Sequence, residues 1–273
     1  LELLKEGHLN RFKTICLLHS KEINHEKGSS LNKRMLKSTD KAKFIIANSH
    51  FTKELAIKVG ISSAKIHVIF PGIQKPKIID NECKIQAEKF YMDSFPKIIT
   101  VARLDKRKGH DKILMLIKNL KTKFPKIKYV CVGRGEEGNN LIKLSKELSL
   151  DQEVIFLNDI NENLKLALIA ASNLFLMPSR IEKKSVEGFG IAFMEAASYG
   201  VGSIGGKDGG ASDAIFHNKT GLICDGNDLN SIYETVTDFF KDEKFIRFGK
   251  EALEFSKNFH WNKIVKNYLK LIN

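Results

Sequence analysis

The chain has 273 residues, 42% of them hydrophobic and 28% charged, a globular balance that excludes a disordered polymer. No apolar run reaches the ~18 residues that a membrane-spanning helix needs. Its 45 Lys and Arg against 32 Asp and Glu give a net charge of +13, which points to anionic partners, although lysines spread along the chain also fit solvated faces.

In chain order, Thr14–Leu18, Phe44–Ala47 and Lys65–Phe70 read as strands, with a helix between Phe51 and Val59 that Asn48-Ser49-His50 would cap. His19 and Glu22 stand at the end of the first strand, where a cleft-facing substrate role and a structural role are both open. These units are too few for a free-standing sheet. The chain begins at Leu1 rather than Met, so residues 1–90 are expected to be the end of an α/β domain whose beginning is absent. Pro71-Gly72, Pro76 and the polar stretch Asp80–Glu82 read as its linker.

From Lys97 the pattern becomes regular. Strands are expected at Lys97–Ala102, Lys128–Val132, Glu153–Leu157, Leu174–Met177, Val201–Ile204 and Leu222–Asp225. Helices are expected at His110–Phe124, Asn139–Leu148, Asn161–Ser172, Leu229–Lys241 and Glu243–Phe255, with another after the turn at Glu187. Short apolar strands alternating with helices specify a parallel sheet covered on both faces, so residues 91–257 read as a complete doubly wound domain. After a break at Asn258–His260, a last helix at Trp261–Leu271 within residues 258–273 is expected to pack back on the first domain. The four cysteines fall in no metal spacing and read as reduced thiols of a cytoplasmic protein.

Three constellations carry chemistry. Gly133-Arg134-Gly135-Glu136-Glu137-Gly138 fits a dinucleotide fingerprint, but it follows the second strand of its domain and sets two acids beside the expected pyrophosphate, so a plain turn fits better. Arg103 and Lys108 lie just past the first strand of the complete domain, where ligands of open α/β sheets bind. There they would clamp a diphosphate, or belong with Lys106 and Arg107 to a solvated basic loop. Glu187 and Glu195 stand eight residues apart in VEGFGIAFMEAASYG, across a glycine-flanked entry to an apolar helix. A carboxylate on such a helix needs a hydrogen-bonding partner if buried, so Glu195 is expected to have one. Gly188 and Gly190 let a ligand approach the helix N–H groups. Ser179 and Arg180, and the turn glycines Gly209 and Gly210, are open to either ligand contact or turn chemistry.

In this order, VARLDKRKG, YVCVGRGEE, VIFLNDI, FLMPSR, VEGFGIAFMEAASYG, GGKDGG and TGLICD resemble the C-terminal half of the retaining GT-B glycosyltransferases of family 4. ANSHFTKEL, VIFPGI and LLHSKE resemble the end of that family's N-terminal domain, and SRIEKKSVEGFGI looks like its phosphatidylinositol mannosyltransferase-like branch. The resemblance implies two Rossmann-like domains, the first truncated here by roughly a hundred residues on the scale of an ordinary domain. It implies that Arg103 and Lys108 hold a donor diphosphate, that Glu187 binds sugar hydroxyls with amides near Gly188, Phe189, Gly190 and Ile191, and that Glu195 binds the ribose. Asp159 and Ile160, in the loop that begins at Asn158, would face the base, Gly133 would lie by the donor, and His19 by the sugar and acceptor. It implies no bound metal and no cofactor beyond the donor substrate. Departures from the family's usual residues are Ser20, Asn158, Gly202 and Asp213.

The resulting expectation is a hexosyltransferase taking GDP-mannose, or a UDP-hexose, to a glycan or lipid-linked acceptor, peripheral on the anionic inner face of a membrane. A nucleotide-sugar-binding fragment without turnover and a nicotinamide oxidoreductase are the alternatives. Nucleic acid is not an expected partner, since neither a zinc-finger nor a basic-helix pattern accompanies the charge.

Overall fold

The computed structural model describes residues 14–272, so residues 1–13 and 273 of the expected outer segments lie outside the described residues. Its first sheet is parallel, with order β1-β2-β3, from Ile15–Leu18 (β1), Phe44–Ala47 (β2) and Ile66–Val68 (β3). Ile15 pairs with Phe44, and Ile45 with Ile66. Helix α1, Ser30–Thr39, connects β1 and β2, and α2, His50–Lys58, connects β2 and β3. The N-cap of α2 forms as its sequence dictates: Ser49 Oγ accepts from the Thr52 N–H at 2.9 Å, and Thr52 Oγ1 donates to Asn48 Oδ1 at 2.7 Å. Of the fully buried residues of helix α1 only Met35 is apolar. The helix is capped by Ser29 and buries Asn32, whose amide donates to the Val59 carbonyl at 2.8 Å, alongside Met35.

The second sheet has order β6-β5-β4-β7-β8-β9 and is parallel throughout. Its strands are Lys97–Val101 (β4), Lys128–Val132 (β5), Val154–Leu157 (β6), Leu174–Met177 (β7), Ser203–Gly206 (β8) and Gly221–Cys224 (β9). Each residue of β7 is wholly buried, as a central strand covered on both faces requires. Alternate residues feed two core layers. Ile99, Val130, Phe175 and Met177 pack with Asn81–Tyr91 (α3), Glu162–Ala170 (α6) and Ile191–Ser198 (α7). Ile98, Tyr129, Leu174 and Leu176 pack with His110–Leu120 (α4), Gly138–Glu147 (α5) and Leu229–Phe240 (α9). Ala211–Ala214 (α8) and Lys244–Ser256 (α10) complete this domain.

Helix α3 corrects the reading of Asp80–Glu82 as linker. The polar start of that stretch is the helix's solvent end, while Cys83, Ala87 and Tyr91 recur on one face and enter the second domain's core beside α6.

The last helix, Trp261–Ile272 (α11), crosses to the first sheet, where Ile264 packs with Ile46 and Ile69. Ile73 N–H donates to the Phe259 carbonyl at 2.8 Å and the Trp261 N–H to that of Ile73 at 3.1 Å. Phe70 of the first domain stacks on Phe189 of the second with ring centroids 5.6 Å apart. Strand β4 lies between β5 and β7, so the loops leaving β4 and β7 diverge to opposite faces. They open a crevice at the strands' carboxyl ends, facing the first domain.

Candidate active site

The loop after β4 is anchored from below by His110, which is 2% exposed. Its Nε2 lies 3.1 Å from the Arg103 carbonyl and its Nδ1 3.2 Å from Tyr129 Oη. Burial, reinforced by Lys108 and partly offset by the hydrogen bond to Arg103, pushes its pKa down to about 4, so the imidazole is neutral at pH 7. Its partner at Nε2 is an acceptor, which assigns the proton to that nitrogen. The loop closes on Gly109, at φ 79°, where a Cβ would come 2.5 Å from the Pro178 carbonyl oxygen. Arg180 then clamps Asp111 with two bonds of 2.9 and 3.0 Å, while its backbone N–H donates to the Arg107 carbonyl at 2.9 Å. Arg180 thus ties the two loops together and is a structural clamp.

Between these loops sits Glu187. Its carbonyl accepts from the Gly210 N–H at 2.8 Å, and a Cβ on Gly209 would meet that same oxygen at 2.4 Å while one on Gly210 would meet the Gly188 carbonyl oxygen at 2.0 Å, which accounts for the paired glycines. Its carboxylate accepts from Arg107 Nη1 at 2.8 Å and from Lys108 Nζ on the same oxygen. All three side chains are about nine-tenths buried, at 11–12% exposure. Burial pushes the Glu187 carboxyl up, but the charges and hydrogen bonds of Lys108 and Arg107 outweigh it and hold it below the usual carboxylate range. The result is an ionised carboxylate with two cations at the mouth of the crevice.

A hollow of 360 Å³ brings together His19, Lys108, Glu187, Gly188, Phe189, Gly190 and Ile191. Gly190, at φ 88°, turns the chain into α7, whose first residues, Ile191 and Ala192, line this hollow. His19 is exposed there, and its backbone N–H, not its ring, meets Glu22 Oε1.

The remaining expected residues lie elsewhere. Arg103 is 69% exposed, pairs with Asp105 at 2.8 Å, and lines an adjoining hollow of 810 Å³ with Lys21 and Arg107. Glu195 departs from the expectation of a buried, hydrogen-bonded acid: its side chain is 34% exposed, with Lys165 Nζ at 3.7 Å. It lies one turn beyond Ile191, itself 47% exposed, so this stripe of an otherwise buried helix faces outward. Glu195 lines a third hollow, which shares Ile191 with the first. The structure therefore does not gather Arg103, Lys108 and Glu195 into one hollow.

Asp159 pairs with Arg134, Ile160 packs against the core, and neither they nor Gly133 lines the Glu187 hollow. A Cβ on Gly133 would lie 1.9 Å from the Ala102 carbonyl oxygen and one on Gly135 2.2 Å from that of Leu104, so close loop packing explains these glycines. Arg107 is the residue that sequence reasoning set aside among solvated cations. Nothing in the run Lys106-Arg107-Lys108 distinguishes it, because the turn geometry alone decides that Lys106 is exposed while Arg107 points in.

Contacts across the cleft complete the site. A Cβ on Gly188 would lie 2.5 Å from the His19 carbonyl oxygen and 2.8 Å from Ser20 Oγ, and Asn24 Nδ2 donates to the Lys184 carbonyl at 2.8 Å.

The sequence matches the glycosyl transferases group 1 family over residues 81–258. It is 27% identical over 200 residues to a GDP-mannose-dependent alpha-(1-6)-phosphatidylinositol monomannoside mannosyltransferase of Mycolicibacterium smegmatis, covering 72% of this chain and 52% of that protein. The enzyme of the same name from Mycobacterium tuberculosis is 28% identical over 217 residues, covering 78% and 56%. The chain thus spans about half the length of these curated relatives. The crystal structure of Anabaena Alr3699/HepE in complex with UDP superposes with a TM-score of 0.85 at 18% identity, over 98% of this chain and 74% of that one. With two facing α/β domains of GT-B type and a family match over most of its length, the chain belongs to the glycosyl transferases group 1.

Proposed function

We propose that the protein transfers a hexose from a nucleotide-sugar donor to a glycan or lipid-linked acceptor, with retention of configuration. The observation that carries this reading is the ionised Glu187 held by Arg107 and Lys108 at the switch point, beside the amides that open α7. Lys108 would turn from Glu187 to the leaving diphosphate, and the α7 amides would share its charge. Glu187 would then accept from sugar hydroxyls, with His19 on the opposite wall. Arg103 would swing in from the adjoining hollow to the diphosphate, and Glu195 would take the ribose at the far lobe. Asp159 and Ile160 would border the base, and Gly133 would lie by the donor.

In the step itself, the bond from the anomeric carbon to the phosphate oxygen breaks. The acceptor oxygen bonds to that carbon on the same face, and its proton passes to the departing phosphate. Cations of this chain supply the positive charge, so transfer is proposed to need no divalent metal and to survive a chelator. GDP-mannose is the first candidate donor, supported by the relatives' names, and a UDP-hexose the second. Peripheral contact with an anionic membrane on its cytoplasmic side fits the +13 charge. Among the described residues no helix is long and apolar enough to cross one.

Titration with GDP, UDP and NADH, followed by label transfer from GDP-mannose or UDP-glucose to membrane extract, tests the reading. Binding of NADH alone would overturn it. Nucleotide binding without transfer by any version extended upstream would reduce it to a binding function.

A further inference from the structure

We propose that, within the transferase reading on which this rests, Asn48 is a further sugar-binding residue: its Nδ2 donates to a hydroxyl oxygen of the donor hexose from the wall opposite Glu187.

Asn48 follows β2, the middle strand of the first sheet, and precedes α2. Its sequence pattern assigns it to the helix cap together with Ser49 and His50, yet the structure gives it no such task. Ser49 Oγ alone accepts from the Thr52 N–H, and the His50 N–H goes to Asp213. The Asn48 backbone is spoken for as well, since its N–H donates to the Leu18 carbonyl at 3.1 Å.

A chain of hydroxyls sets the direction of the side-chain amide. Ser49 is wholly buried, and its proton meets an acceptor at Thr52 Oγ1, 2.9 Å away. Thr52 therefore passes its own proton onward to Asn48, 2.7 Å away, where only the amide oxygen can receive it. That assigns Oδ1 to Thr52 and turns Nδ2 the other way. Nδ2 faces the Glu187 hollow: a Cβ on Gly188 would come 3.1 Å from it, and Asn48 lines this hollow with His19, Lys108, Glu187 and Gly188. Among the described residues Nδ2 has no hydrogen-bond acceptor. Asn48 is 9% exposed and enclosed by β1 and β3 on either side of its strand, so no further segment is needed to cover it. A donor so deeply covered normally has a partner, and a ligand oxygen in the hollow would supply one.

The chemistry of the two walls selects that ligand. The Glu187 carboxylate only accepts, and Asn48 Nδ2 only donates. A hydroxyl between them satisfies both, giving its proton to the acid and taking a hydrogen bond from the amide, each strengthening the other. A phosphate oxygen would suit Nδ2 but not Glu187, and an ammonium group the reverse. A hexose brings several hydroxyls, and one held in this way would also tie the first domain to the second.

The test measures affinities of the full chain for GDP, UDP, GDP-mannose and UDP-glucose, and for donors lacking one hexose hydroxyl at a time. The parent is compared with Asn48→Ala and Asn48→Asp. Ser49 keeps the α2 cap in both variants, and Asn48→Asp also keeps an oxygen for Thr52, so it removes the donor while leaving the hydroxyl chain anchored. Free nucleotide should bind all three proteins alike. The preferred sugar nucleotide should be weakened about 3- to 10-fold by Asn48→Ala, the scale of one lost hydrogen bond. Asn48→Asp should weaken it at least as much, since it sets a second carboxylate opposite Glu187. Removing one particular hydroxyl should weaken binding by the parent and matter less in Asn48→Ala, as coupling between groups in contact requires. Equal weakening of free and sugar nucleotides, parental affinity for the sugar nucleotide in Asn48→Asp, or the same set of hydroxyl penalties in parent and Asn48→Ala would each overturn the proposal. A parent that binds none of the four nucleotides would instead remove the transferase reading, and the role of Asn48 with it.

Discussion

The Asp213 carboxylate receives two hydrogen bonds from a single residue of the other domain, His50: its backbone N–H and its Nδ1, each at 2.7 Å. His50 is the first residue of α2, so an acid of the second domain closes the exposed amide end of a helix in the first. Asp213 is 15% exposed and His50 63%, so most of the contact's value lies in the backbone bond at the shielded oxygen. Asp213→Ala should destabilise the first domain by about 1–2 kcal/mol, the usual scale of a lost helix cap. Asp213→Asn, which keeps an acceptor oxygen, should recover part of this. Hydrogen exchange of the α2 amides reads both, and protection equal to the parent in Asp213→Ala would refute the tie.

Gly188 makes a different kind of contact. A methyl group there would press on the backbone carbonyl of His19 at 2.5 Å and on the Ser20 hydroxyl at 2.8 Å, both in the facing domain. Gly188→Ala should therefore hold the cleft open while leaving the second domain's fold intact. The expected signature is a larger radius of gyration in small-angle scattering and transfer reduced at least ~10-fold, since a displacement on the order of 1 Å spoils alignment of reacting groups. Thermal unfolding of the second domain should stay close to the parent's. Unchanged transfer would show that the two domains need not meet at this point.

The second domain was legible because its strands are buried runs such as Leu174–Met177 between amphipathic helices, and a doubly wound sheet fixes where its loops converge. Lys108, Glu187 and Gly188–Ile191 follow from that convergence. Helix α3 was missed because its charged exposed face masks the thin row Cys83, Ala87 and Tyr91. Helix α1 was missed because a buried Asn32, satisfied by a distant carbonyl, occupies a core position that periodicity expects to be apolar. Arg107 and Arg103 exchanged character because their directions depend on a tight turn ending at Gly109, which composition does not encode. Glu195 looked buried because its neighbours are; its own outward stripe with Ile191 shows only in three dimensions.

His110 links this geometry to pH. Its folded pKa is depressed to about 4 by burial, whereas the unfolded imidazole titrates near 6.5. Between these values the unfolded chain binds a proton that the folded protein does not, so stability rises with pH across that window. The contribution is complete above about 6.5 and is lost as pH falls towards 4. A difference of about 2.5 pKa units corresponds to an upper bound of ~3.5 kcal/mol at about 1.4 kcal/mol per unit. His110→Gln should be destabilised at pH 7 by loss of the Arg103 carbonyl and Tyr129 contacts, yet its stability should change less between pH 6.5 and 4. Parallel pH profiles for parent and variant would exclude His110 as the titrating group.

The Glu187 cluster titrates in a lower window and with its own partners. Because its carboxyl is held below the usual range by Lys108 and Arg107, its contribution is present above the unfolded value, near 4.5, and is lost as pH falls through the depressed folded value. Glu187→Gln should remove that acid-side loss and leave two neighbouring cations without their carboxylate, destabilising the crevice. The interaction itself is best isolated by a double-mutant cycle with Arg107→Ala, in which Arg107 Nη1 at 2.8 Å predicts a coupling of about 0.5–3 kcal/mol. Lys106→Ala, one residue away but exposed, should be silent in the same cycle and in transfer. Arg107→Ala should lower turnover more than nucleotide affinity, because it touches Glu187, whereas diphosphate contact is proposed for Lys108 and Arg103. A coupling near zero would mean that Arg107 merely lies alongside the carboxylate, and Lys108 alone would then have to hold Glu187 ionised.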